Sequence, residues 1–210
     1  MSSYAAAERA ELVAALQAVP PGAPTLCAGW TALDLAAHVV ARERRPDSTP
    51  GLLVPLLAPW AERVRAGYAR TPYPELIQLI ADGPPVISLF AIPGVDAVAN
   101  FVEFLIHTED VRRAQPGWTP RVLPPAEQDA VWTALRRTGR WAYRRCPVGV
   151  VLATPDGRRH SVGAHDPQVT LTGEPAELLL HSSGRGEHAR IEVEGPDDAV
   201  RRFQAVKLGL

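Results

Sequence analysis

The sequence predicts an α+β protein, helical over residues 1–145 and mixed over residues 146–210. Two observations carry this expectation. Apolar residues recur at helical spacing as far as about residue 145. Then come three short β-branched runs, Val148-Gly-Val-Val-Leu152, Gln168-Val-Thr-Leu-Thr172 and Ala189-Arg-Ile-Glu-Val193, separated by Asp156-Gly157, Gly173 and Gly195. The change of period places a domain boundary near Arg145–Pro147.

Residues 3–18 read as an amphipathic helix with Ala7, Leu12, Ala15 and Leu16 on its apolar stripe. Pro20-Pro21-Gly22 ends it. Thr31 with Asp34 three residues on resembles a capping box, so a helix starts there. That helix, Leu33 to Glu43, is apolar almost all round, which buries His38. Residues 46–51 are expected as a loop. Helices follow at about 52–69, with Pro55 and Pro59 obscuring the start, and at 73–81 before Gly83-Pro84-Pro85. Two more are expected over 94–114 and 125–145. In the last segment, helices fit Pro175–His181 and Pro196 to about Lys207.

At 210 residues the chain can bury a sizeable core, and 46% hydrophobic with 21% charged residues is ordinary globular composition. The formal net charge of −1 supplies no basic field for nucleic acid. Five arginines between Arg136 and Arg145 give one helix a basic edge, read as a solvated face. Residues 1–20 carry Glu8, Arg9 and Glu11 where a signal peptide needs an apolar core. The apolar stretch Gly51–Trp60 is too short to span a bilayer. A soluble, cytoplasmic protein with no membrane partner is therefore expected. Two cysteines, Cys27 and Cys146, are too few for a disulfide framework.

The helix over 94–114 carries the most informative pattern. At about 100° per residue, Asn100, Glu103, His107 and Asp110 share roughly a quarter of the circumference. Glu103 and His107 stand one turn apart on an otherwise apolar helix. A carboxylate and an imidazole placed so are either a solvated or satisfied polar pair, or metal ligands. His38 would complete a His2Glu set with one position left open, a catalytic zinc-type arrangement. Asp34 and Asp110 stand where they could orient His38 and His107 from behind. Imidazole ligands also suit iron, nickel and cobalt. The remaining histidines, His160, His165, His181 and His188, lack ligand spacing and read as surface or loop residues, with His165 and His188 within possible reach of a neighbouring site.

The segment Leu26-Cys27-Ala-Gly29-Trp30-Thr31-Ala-Leu-Asp34-Leu-Ala-Ala-His38-Val-Val-Ala-Arg42-Glu43 resembles the N-terminal signature of the mycothiol-dependent maleylpyruvate isomerase family. Glu103-x3-His107-x2-Asp110 is similar to that family's second motif, and Thr172-Gly173 through Ser183-Gly184-Arg185 resembles its small C-terminal domain. Within the family the likeness points to an uncharacterised metal-binding subgroup from mycothiol-producing bacteria. The resemblance implies a DinB-like, up-down helical bundle over 1–145 and a small α/β domain over 146–210. It also implies His38, Glu103 and His107 as ligands of a divalent ion, zinc, with mycothiol as co-substrate.

Three functions follow as expectations: a metal-dependent thiol transferase or isomerase acting on a small electrophile, a metal-dependent hydrolase, or a metal- or thiol-binding protein without turnover. The partners would be a small thiol and an electrophile, in a monomer or homodimer. Arg185 is a candidate for pairing a carboxylate, and Arg42 for reaching an anion or for salt-bridging Glu103 or Asp110. Cys27 reads as a packing plug, or as a thiol activated ahead of a helix. Trp30, Trp132 and Trp141 read as packing residues.

Overall fold

The computed structural model describes residues 2–45, 47–48, 54–85, 96–163, 165–206 and 208. It is α+β, as expected, and divides into two compact units, 1–119 and 120–210. Among its described residues the first unit holds five α-helices: α1 (Ser2–Gln17), α2 (Ala32–Arg44), α3 (Ala58–Tyr68), α4 (Tyr73–Asp82) and α5 (Asp96–Arg112). Two details differ from the periodicity. The prolines at 55 and 59 split the third helix into a 3-10 turn, Pro55–Leu57, and α3, because proline is accommodated only at a helix start. The expected loop at 46–51 and the expected start of α5 at 94 lie largely outside the described residues.

In this unit α5 packs along α1, and α2 lies against α3 and α4. Leu12 and Leu16 of α1, Leu35, Val39 and Val40 of α2, Leu76 and Ile80 of α4, and Phe104 of α5 form one cluster with almost no exposure. Each such side chain contributes about 1.5–3 kcal/mol by leaving water. On α2 the fully buried Ala32, Ala36 and Ala37 let neighbouring backbones approach closely. The start of α2 is fixed as predicted. Thr31 Oγ1 accepts from Asp34 N–H at 3.3 Å, and Asp34 Oδ2 accepts from Thr31 N–H at 3.0 Å. Among the described residues no helix is long and apolar enough to cross a membrane.

The second unit begins with α6 (Pro125–Ala142), so the structural division falls before this helix and not after it near residue 145. Side-chain chemistry gives the reason. Gln128 Oε1 accepts from Ala176 N–H at 3.1 Å, and Asp129 pairs with Arg158 at 2.8 Å. Gly139 sits so close to Val162 that a Cβ there would stand 2.8 Å from Cγ1. Helical periodicity shows that α6 has an apolar face, not which core that face meets.

The strands are β1 (Gly149–Ala153), β2 (Arg159–Ser161), β3 (Gln168–Thr172) and β4 (Glu192–Glu194), in the order β2-β1-β3-β4. The β1–β3 pair is parallel and aligns Val150 with Val169 and Leu152 with Leu171, all four buried. The outer pairs are antiparallel. Strand β2, Arg-His-Ser, carries no hydrophobic signal and was not expected. Helices α7 (Pro175–Ser182) and α8 (Asp197–Gln204) complete the unit. Trp132 is buried as expected, whereas Trp141 is 71% exposed and lies under the Arg144 guanidinium.

Candidate metal centre

All three predicted ligands belong to the first unit. His38 projects from the middle of α2, while Glu103 and His107 stand one turn apart on α5. Their donor atoms converge. Glu103 Oε1 lies 3.3 Å from His38 Nε2 and 3.2 Å from His107 Nε2, and one donor atom from each residue falls within 4.8 Å of the other two. The imidazole rings are 5.3 Å apart with planes at 77°. Both histidines are buried, and the Glu103 side chain is 27% exposed.

The donor set fits a divalent ion. Donors about 2.0–2.1 Å from a tetrahedral ion stand about 3.3 Å from each other. The two nitrogen–oxygen separations match that edge, and both exceed the usual N–H···O length of about 2.9–3.0 Å. Three ligands leave a fourth position for water or substrate.

The surroundings prepare these atoms. His107 Nδ1 is 2.9 Å from Asp110 Oδ2, and Asp110 is fully buried. A carboxylate beside Nδ1 favours a proton on that nitrogen, which leaves Nε2 as the atom turned towards Glu103 and His38. The Arg42 guanidinium lies 3.5 Å from Glu103 Oε1, and it also donates to Asn100 Oδ1. Arg42 thus salt-bridges Glu103, one of the roles its sequence position allowed. Trp30 walls the other side, with its ring 5.0 Å from His38 and the Arg65 guanidinium 5.3 Å above it.

Electrostatics separates the two histidines. Burial pushes His38 down, and hydrogen bonding to Glu103 opposes this only in part. Burial also acts to lower His107, but Asp110, Cys27 and Glu103 together hold it well above the usual range. For Glu103, burial acts to raise the carboxyl. Hydrogen bonds to His107 and His38, with the charges of His107 and Arg42, outweigh that and hold it well below the ordinary range. The site therefore rewards positive charge beside Glu103.

Other predicted residues fall elsewhere. Asp34 does not hold His38. Its Oδ2 accepts from Thr31, and its Oδ1 pairs with Arg65 at 2.5 Å. The capping geometry aims the carboxylate back at the helix start, away from the residue one turn on. Arg185 belongs to the second unit, where its guanidinium donates to Ser183 O. His181 is no surface residue but is buried, stacked with Tyr143 and Phe203. Cys27 packs against the core of the first unit, as read, but its Sγ also lies 3.1 Å from Asp110 Oδ2. The spacing of Cys27 and Asp110 in the sequence holds no signal for that contact.

Two histidines and a glutamate converge on two helices of an α-helical unit that is followed by a small α/β unit, an α+β architecture. The chain has the fold of the mycothiol-dependent maleylpyruvate isomerase. A crystal structure of a histidine-to-alanine mutant of that enzyme superposes with a TM-score of 0.63, at 16% identity, over 93% of each chain. Another crystal structure of the enzyme gives 0.57, with the same identity and coverage. No family model and no curated protein sequence matches the chain.

Proposed function

We propose that this protein is a metal-dependent enzyme in which His38, Glu103 and His107 hold a divalent ion, zinc by donor type. It would join a low-molecular-weight thiol, mycothiol, to a small electrophile, either by S-transfer or on the way to isomerisation. The observation that carries the reading is the convergence of three donors: Glu103 Oε1 lies 3.3 and 3.2 Å from the Nε2 atoms of His38 and His107, and one donor atom of each residue falls within 4.8 Å of the others. The thiol assignment draws its support from the fold shared with a mycothiol-dependent isomerase.

When bound, an ion in this donor set lowers the pKa of a thiol or water at its open position and so supplies a nucleophile at neutral pH. The chain's own groups prepare that position. Asp110 fixes the His107 tautomer and ring plane. His107 and His38, with a smaller contribution from the Arg42 guanidinium 3.5 Å away, favour the ionised form of Glu103. Trp30 packs against His38, their rings 5.0 Å apart.

The test is metal content by elemental analysis, with wild type beside His38→Ala and His107→Ala. Near-stoichiometric metal in the wild type, lost in both variants, is expected. Loaded protein should then consume an electrophile only when mycothiol is present. Metal-dependent cleavage of esters or amides without thiol would replace this reading with hydrolysis. A wild type that takes up no metal would end both.

A further inference from the structure

The Asp110 carboxylate is shared. The oxygen that meets His107 Nδ1 at 2.9 Å also meets Cys27 Sγ at 3.1 Å. Because an ionised carboxylate only accepts, both neighbours donate to it, the ring through N–H and the thiol through S–H. One oxygen thus ties a loop cysteine to a candidate metal ligand.

The loop is built to hold that contact. Trp30 N–H donates to Cys27 O at 2.9 Å, closing a four-residue turn in which Gly29 has φ +77°, a value that favours glycine. Thr25 Oγ1 accepts from Cys27 N–H at 3.2 Å and donates to Trp30 O at 2.8 Å. Leu26 N–H donates to the backbone carbonyl of Asp110 at 3.0 Å. The loop therefore grips Asp110 twice, once by its main chain and once through the thiol. The same loop supplies Trp30 to the wall of His38.

Cys27, His107 and Asp110 could themselves be read as a ligand set, since one donor atom from each lies within 4.8 Å of the others. The geometry favours support over ligation. Asp110 already occupies His107 Nδ1 at hydrogen-bond length, while Nε2 faces Glu103 and His38.

We infer that Cys27 is a positioning residue of the metal centre: its thiol fixes the Asp110 carboxylate, which fixes the tautomer and ring plane of His107. This rests on His38, Glu103 and His107 being the ligands. Removing the S–H takes away one of the donors that orient the carboxylate toward Nδ1, whereas a serine hydroxyl restores a donor at the same place.

The test is Co2+ affinity measured against a competing chelator for wild type, Cys27→Ser, Cys27→Ala and Cys27→Val, with the folded state checked by thermal unfolding. Wild type and Cys27→Ser should agree within about threefold. Cys27→Ala should bind about tenfold more weakly, the lower end of the cost of losing a partner behind a ligand. Cys27→Val keeps the volume without the donor and should lose as much, which covers a failure of the alanine variant to fold. In metal-free protein, the His107 Nδ1–H proton should be visible by NMR in wild type and Cys27→Ser and broadened in Cys27→Val. Unchanged affinity in both non-donor variants would overturn the inference and leave the metal reading standing. So would a serine variant as weak as valine, which would make the role one of packing. Two ions bound per wild-type chain would make the thiol a ligand, also against it. A wild type that binds no Co2+ would overturn the metal reading itself, and this inference with it.

Discussion

His38 and His107 come from different helices, yet their rings face each other 5.3 Å apart at 77°, with Glu103 Oε1 between their Nε2 atoms. The arrangement couples α2 to α5 through whatever holds those three atoms. An ion that binds the folded unit alone stabilises it by RT ln(1 + [M]/Kd), about 2.7 kcal/mol at a hundred times Kd. Zinc at that excess should raise the melting temperature by about 5–10 °C, and EDTA should reverse the shift. Glu103→Ala should melt at the same temperature with or without zinc. A zinc-induced rise that survives in Glu103→Ala would place the ion elsewhere.

Asp34 was legible as a cap and as a partner of His38, and only the first role is present in the structure. Replacing it by alanine removes the capping box at Thr31 and the Arg65 ion pair. The expected cost is about 1–2 kcal/mol in urea unfolding. Metal affinity should stay within about twofold of wild type. A tenfold loss of metal affinity would return Asp34 to the site.

The sequence displayed the three candidate ligands because both relevant periods are local. Glu103 and His107 are one helical turn apart, and His38 interrupts an apolar helix with a visible start signal at Thr31. What it did not display depends on pairs far apart in the chain. Cys27 meets Asp110 across 83 positions, and Arg9 meets Glu43 across 34. The allegiance of α6 was hidden for the same reason, since Gln128 and Gly139 find their partners at Ala176 and Val162. Strand β2 was illegible for another cause. Two of its three residues are exposed, and its pairing with β1 is set by the neighbouring strand and not by its own hydrophobicity.

Arg9 and Glu43 form an ion pair in the first unit, with Glu43 buried and Arg9 partly so. The guanidinium meets both Glu43 oxygens, at 2.5 and 3.0 Å, donates to Ile80 O at 2.8 Å, and stacks 4.5 Å over Phe104. The Glu43 side chain is only 1% exposed. Glu43→Ala leaves a partly buried cation, 15% exposed, without its counter-ion and should cost about 3 kcal/mol, the low end for a buried pair. The double variant Arg9→Met, Glu43→Leu removes both charges and should recover most of that loss. Chemical unfolding of the two variants decides it. A double variant no more stable than Glu43→Ala would show that the packing, not the stranded charge, sets the cost.

In the second unit, His181 supplies a pH dependence independent of any metal. It packs in a three-ring cluster with Tyr143 and Phe203, with Nδ1 2.9 Å from the Tyr143 hydroxyl. Burial lowers its pKa from 6.5 to about 4. Between those values the unfolded chain binds a proton that the folded chain does not, so stability rises with pH in this window. The contribution is fully present above about pH 6.5 and is lost as pH falls towards 4. A shift of this size corresponds to about 3 kcal/mol. Thermal unfolding in EDTA, at pH 7 and at pH 4.5, should show the second unit destabilised at the lower pH. His181→Gln, which cannot take up a proton, should lose less between the two conditions while being less stable at pH 7. Equal pH sensitivity in wild type and His181→Gln would assign the acid lability to other groups.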